Sequence, residues 1–143
     1  MTQEDKQLLL KDLSARLSYA VKIIDEPAHC IGELFLISTT DMVEYETETD
    51  TGMQTIYNIK PYLRPMSSMT KKEQRYIWDK YGPSFLVADF EDAGDVSELF
   101  NYCQMNISRA PSFVDWLNEH HFDFRGLIEK GLALEAPEGM YKM

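Results

Sequence analysis

The sequence predicts an α+β fold: a small sheet over residues 19–63, packed by an N-terminal helix (residues 1–18) and followed by a mainly helical half (residues 64–143). Three observations predict it. Leu9, Leu13 and Leu17 recur every four residues near the start, the spacing of one helical face. A two-residue period then takes over and is clearest across residues 43–50. Beyond Pro65 the chain carries repeated helix-start signals. At 143 residues the chain fits one domain able to bury a core of its own.

The first helix has Thr2 in position to cap it, with Asp5 as the reciprocal capping-box acid. Leu10 widens its apolar stripe. Tyr19, Val21 and Ile23 alternate with Ala20, Lys22 and Ile24 as a strand, which Asp25-Glu26-Pro27 ends. Residues 33–38 form a second, mostly apolar strand. Along residues 43–50 the acids Glu44, Glu46, Glu48 and Asp50 fall on one face, and Val43, Tyr45, Thr47 and Thr49 on the other. Asp50-Thr51-Gly52 has turn chemistry, so residues 53–59 are expected to fold back as a hairpin. Four short strands in this space predict an SH3-like barrel or an open β-meander.

Pro61 and Pro65 are expected to exclude residues 60–68 from helix and sheet interior. Thr70-x-x-Glu73 is a capping box; its helix carries Ile77, Trp78 and Tyr81 and stops at Gly82-Pro83. Residues 84–90 read as a strand. Asp95-x-x-Glu98 opens a helix that turns Leu99, Phe100, Cys103 and Met105 inward. Ser112-x-x-Asp115 opens another, and Asp123 caps a last short helix ending at Gly131.

The net charge of −10 argues against binding nucleic acid through its phosphates, which takes lysine and arginine. The charge is uneven. Residues 41–50 and 83–98 each carry five acids and no base, whereas residues 64–82 carry five bases and two acids. Such an arrangement suits self-association or a protein partner of mixed charge. Cys30 and Cys103 stand apart, without a C-x-x-C, and read as free thiols. The start of the chain has no basic segment followed by an apolar one, and no run approaches the ~18 apolar residues of a membrane span, so a cytoplasmic protein is expected.

Residues 111–137 concentrate the residue types of a site: two adjacent histidines, a tryptophan and three phenylalanines, with acids between them. A small metal-dependent hydrolase would use His120, His121 and Asp123. Adjacent helical residues point ~100° apart, however, and Trp116 and Leu117 stand four residues before the histidines, where a second ligand would be needed. A histidine at the helix C-terminus, where partial negative charge favours it, is the simpler reading. His29-Cys30 on an extended chain would point to opposite faces, and Ser67-Ser68 before Lys71-Lys72 lacks a known serine–lysine spacing. No glycine-rich phosphate loop occurs. No catalytic residue, metal or cofactor is therefore expected.

Two surfaces remain. Acids two apart on a strand repeat every ~6.6–6.8 Å, near the spacing of phosphates along a nucleic-acid strand. Glu44, Glu46, Glu48 and Asp50 could thus imitate DNA and block a DNA-binding enzyme. The second surface is aromatic. Trp78, Tyr81, Phe113, Trp116, Phe122 and Phe124 should mostly be core, and those left at the surface would mark a partner site. The candidate partner-binding residues are Trp116, His120, His121, Phe122, Phe124 and Arg125.

Three segments together carry a resemblance: Glu4-Asp5-Lys6 with Leu8 to Leu13 and Arg16-Leu17; Lys60-Pro61-Tyr62-Leu63 with Pro65-Met66-Ser67-Ser68-Met69-Thr70; and Asp115-Trp116-Leu117-Asn118 with His121-Phe122-Asp123-Phe124-Arg125-Gly126-Leu127-Ile128. In this order they resemble a family of short proteins of gut Bacteroidetes and their phages or prophages, one without an assigned activity. The chain departs from it at Leu17-Ser18-Tyr19-Ala20, where the family commonly has Leu-Pro-Tyr-Gly. The resemblance brings no site residues. It implies a small accessory protein of a mobile genome, and with the residue-level reading it points to a non-catalytic interaction protein.

Overall fold

The computed structural model describes residues 1–81 and 110–141, apart from the side chains of Trp78, Tyr81, Ala110 and Pro111. The strand expected at 84–90 and the helix opening at Asp95 lie outside the described residues. The fold is α+β. Helix α1 (Gln3–Arg16) precedes strands β1 (Lys22–Asp25), β2 (Cys30–Ile37), β3 (Met42–Glu46), β4 (Thr51–Thr55) and β5 (Ile59–Leu63). Helices α2 (Lys71–Tyr81) and α3 (Ala110–Glu119) and the two-residue strand β6 (Leu134–Glu135) follow.

Thr2 and Asp5 form the expected capping box, each side chain bonded to the other's backbone nitrogen. The inner face of α1 buries Leu9 and Leu13, and also Asp12 and Arg16. After a 3₁₀ turn over Leu17–Tyr19, Ala20 adopts a left-handed conformation (φ 57°), so β1 begins three residues later than the alternation suggests.

The six strands lie in the order β4-β3-β2-β1-β5-β6 and do not close into a barrel. All pairs are antiparallel except β5 with β6. Val21, Ile23, Leu34, Val43, Tyr45, Ile59 and Leu63 share one buried cluster with Leu9 and Leu13 of α1 and with Leu127 and Leu132. The Tyr45 ring runs so close over Gly32 and Gly52 that a Cβ at either would fall 2.6 or 2.3 Å from it. Glycine is thus required there for space. The Tyr45 hydroxyl donates to Asp25 at 2.7 Å, and Gln54 donates to the same carboxylate at 3.1 Å. Burial, followed by Asp25 itself, pushes the Tyr45 phenol up to about 12.

Pro61 contradicts the expectation for its segment. It lies within β5, opposite Ile23 of β1. The bond from the Glu26 nitrogen to the Asn58 carbonyl sets the phase of this ladder. In that phase the Pro61 nitrogen faces away from β1, on the side where β6 pairs only with Tyr62 and Leu63. No donor is needed there, so a proline fits inside the sheet. Pro65 does fall outside it, ahead of a 3₁₀ turn at Met66–Ser68.

The acidic row is also shorter than expected. Strand β3 ends at Glu46, and residues 47–50 form the turn, closed by Thr47 bonding to the Asp50 carbonyl and nitrogen. Thr51 and Gly52 belong to β4. The threonine hydroxyl competes with the ladder for backbone partners, a property of its residue type.

Candidate functional site

Helix α1 and the end of α3 meet at one buried cluster of charge. Asp12 and Arg16, one helical turn apart on α1, are fully buried and joined by two bonds of 3.0 Å. Arg125 donates to Asp12 at 2.6 Å and to Asn118 of α3 at 3.1 Å. The Phe124 ring is close to both guanidiniums, 5.9 Å from that of Arg16 and 4.2 Å from that of Arg125. Arg16 also donates to the carbonyl of Phe122 at 2.5 Å.

Arg64, just after β5, joins this region through Phe122. Arg64 forms a parallel bridge with Phe122: its nitrogen donates to the His121 carbonyl, and its carbonyl accepts from the Asp123 nitrogen, both at 2.8 Å. The Arg64 guanidinium covers the Phe122 ring at 4.1 Å and grips Glu73 with bonds of 2.9 and 2.8 Å. Glu73 is the reciprocal acid of the Thr70 capping box, as expected. Burial works to raise its carboxyl, but the bonds from Arg64 and Thr70 hold it below the usual value.

Helix α3 ends in a Schellman turn. The Phe122 nitrogen donates to the Leu117 carbonyl and the His121 nitrogen to that of Asn118, with His121 left-handed at φ 62°. His121 takes the position glycine usually fills. Its ring is buried and stacks on Tyr141 at 3.9 Å. Burial first, then the Arg16 charge, lower its imidazole to about 4, against some support from the backbone of Tyr19. The Tyr141 hydroxyl accepts from the Lys22 nitrogen at 2.8 Å and donates to the Tyr62 carbonyl at 2.7 Å. Burial pushes its phenol well above the ordinary value.

His120 turns the other way. It stacks on Trp116 at 4.2 Å, and its Nδ1 meets the Trp116 carbonyl at 2.9 Å. Both oxygens of Asp123 accept from backbone nitrogens, those of Leu127 and Ile128. Asp123 is thus a cap as expected, although the segment it caps is a series of turns up to Gly131 and not a helix. His120, His121 and Asp123 do not converge, and among the described residues no group of three or more His, Cys, Asp or Glu could hold a metal ion. The Cys30 thiol meets the Ala28 carbonyl and Ser68 the Pro65 carbonyl, so each has a structural contact.

Of the candidate partner-binding residues, Trp116, His121 and Phe122 are buried, and His120, Phe124 and Arg125 are half-buried. The structure brings all six around the end of α3. The aromatic surface continues through Tyr76 of α2, which is exposed and stacks on Trp116 at 6.1 Å. Glu44 and Glu46 stand on β3, whereas Glu48 and Asp50 belong to the turn, where the Asp50 carboxylate accepts from the Thr51 nitrogen. A straight row of four acids is not formed.

Three concavities surround this region. A groove of about 650 Å³ lies between α2 and α3, lined by Arg64, Tyr76, Trp116, Glu119 and His120 among others. A hollow of about 450 Å³ shares Glu119 and His120 with it and reaches Lys22 and Glu33 of the sheet. A depression of about 770 Å³ shares Lys22 and Glu33 with that hollow and extends to Ile31, Glu46 and Glu48. The three adjoin at these shared residues, from the helices to the sheet.

Asp12, Arg16, Arg64 and Tyr141 were not singled out by the sequence. One signal was present: Leu9, Asp12, Leu13 and Arg16 follow the i, i+3, i+4, i+7 spacing of a single face, which places an ion pair inside an apolar stripe. Nothing in the sequence marked Tyr141, whose partners are 79 and 119 residues away. Comparison with protein-family models, curated proteins and solved structures finds no match. Among the described residues no helix is long and apolar enough to cross a membrane.

Proposed function

We propose that this is a non-catalytic interaction protein that binds a protein partner along the surface joining the sheet to the helices. The observation that carries the reading is a track of three adjoining concavities, which share Glu119 and His120 and again Lys22 and Glu33. Its helical end presents Tyr76 and His120, both stacked on the buried Trp116, rigid groups that provide contact area at low entropic cost. The buried cluster beneath it serves to hold α1, β5 and the end of α3 in register, so the track is preformed and little ordering is needed on binding. The sequence resemblance supports an accessory role on a phage or other mobile genome of Bacteroidetes.

The test is affinity capture from a Bacteroidetes lysate with the wild type and with a Tyr76→Ala, His120→Ala variant. A protein retained by the wild type and lost with the variant supports the reading. Recovery of nothing above background, or of the same proteins with both baits, counts against it.

A further inference from the structure

We propose that the outer face of the sheet is a docking site for a partner segment in which basic and apolar side chains alternate. The inference rests on the interaction reading above and specifies the partner's chemistry at the sheet end. Ile31, Phe35, Leu36 and Met53 are large apolar residues left 46%, 46%, 39% and 59% exposed. The inward residues of the same strands, Leu34, Val43 and Tyr45, are buried in the core. Strand alternation therefore places Ile31 on the outer face. The register shift between Leu34 and Leu36 brings Leu36 opposite Glu44, which is in turn opposite Met53. Ile31, Leu36 and Met53 thus share this face, with Phe35 exposed in the irregularity beside them, and an apolar group so concentrated marks a contact surface.

Charge decides what covers it. Glu33 lies directly opposite Glu46, a like-charge pair that disfavours its own sheet. Among the described residues no ion pair holds Glu33, Glu44 or Glu46. Lys22, opposite Glu33, is the nearest cation in the register. A segment with lysine or arginine between apolar residues would relieve this repulsion while covering the exposed side chains. A nucleic acid or an anionic lipid surface would meet the acids with like charge. A second copy of the chain, itself at −10, would set acids against acids.

The test is calorimetric titration of the full chain with a synthetic peptide alternating lysine with apolar residues. A length of about ten residues spans roughly 33 Å when extended. A control peptide carries glutamate in place of lysine. The lysine peptide is expected to bind at least about tenfold more tightly than the control. Its binding should weaken severalfold with Phe35→Ser and with Glu33→Gln, Glu46→Gln, and fall with added salt. Both variants change exposed side chains, and matching circular dichroism would confirm that each is folded. Equal binding of the two peptides, or unchanged binding in the variants, would overturn the proposal. So would a concentration-dependent dimer abolished by Phe35→Ser, which would make a second copy the occupant. A partner lost with the Tyr76 and His120 variant but unaffected by the sheet variants would overturn this proposal and leave the interaction reading standing.

Discussion

The side chain of Arg16 donates to the backbone carbonyl of Phe122, a residue 106 positions later, while two further bonds tie it to Asp12 one turn back on its own helix. With Arg125 on the same aspartate, the first helix and the C-terminal segment share one buried carboxylate. Replacing Asp12 by alanine would leave two guanidiniums facing no counter-charge. A loss of about 3–5 kcal/mol is expected, read as a lower urea midpoint. Arg16→Met with Asp12→Leu should cost less than the sum of the single changes, because the surviving partner is no longer stranded. Strict additivity would mean that the pair is not coupled.

The second prediction concerns pH. His121 ionises at about 4 in the folded protein against 6.5 as the ordinary value. Protonation therefore favours the unfolded chain. The neutral imidazole's contribution is complete above pH 6.5 and is lost as pH falls from there towards 4, by about 3 kcal/mol in all. Glu73, whose carboxyl is held low, loses its contribution only as pH falls below the ordinary glutamate value of 4.5. Between pH 6.5 and 5 the slope of stability should thus belong mainly to His121. His121→Asn tolerates the left-handed backbone and cannot titrate. Urea unfolding of this variant should be nearly flat with pH in that window, and an unchanged slope would place its origin elsewhere.

Ala20 is left-handed at φ 57°, a conformation that favours glycine. Ala20→Gly should raise stability by about 0.5–1 kcal/mol, since relief of the Cβ strain exceeds the entropy glycine adds to the unfolded chain. A shift of thermal midpoint in the opposite direction would show that the turn is not strained.

Arg64 both covers Phe122 and holds the capping acid of α2. Arg64→Lys keeps the charge but loses the paired bonds and most of the stacking, at about 1–2 kcal/mol. Hydrogen exchange should quicken most at the first turn of α2. Uniform quickening across the sheet would point to a different role.

Much of the fold was legible because it is local. The Thr2–Asp5 and Thr70–Glu73 boxes formed as their spacing required, and the inward set Leu34, Val43 and Tyr45 follows the two-residue period. Less could be read where a local rule depends on what lies alongside. Pro61 sits in a strand because the ladder's phase turns its nitrogen away from β1, and no run of residue types carries that information. The row from Glu44 to Asp50 alternates as a strand should, yet Thr47 closes a turn within it.

By itself the sequence determined the net acidity, and it determined the α+β class, the caps of the first two helices and the apolar face of the first, which are set by neighbours within a turn or a strand. Only the tertiary structure decided that the sheet stays open and that Asp12, Arg16, Phe122 and Arg125 share one buried cluster. It alone separated the two histidines, His120 onto Trp116 and His121 onto Tyr141. The physical reason is the same in each case. A buried charge or ring needs a partner at a few ångströms, and packing can supply one from a hundred residues away.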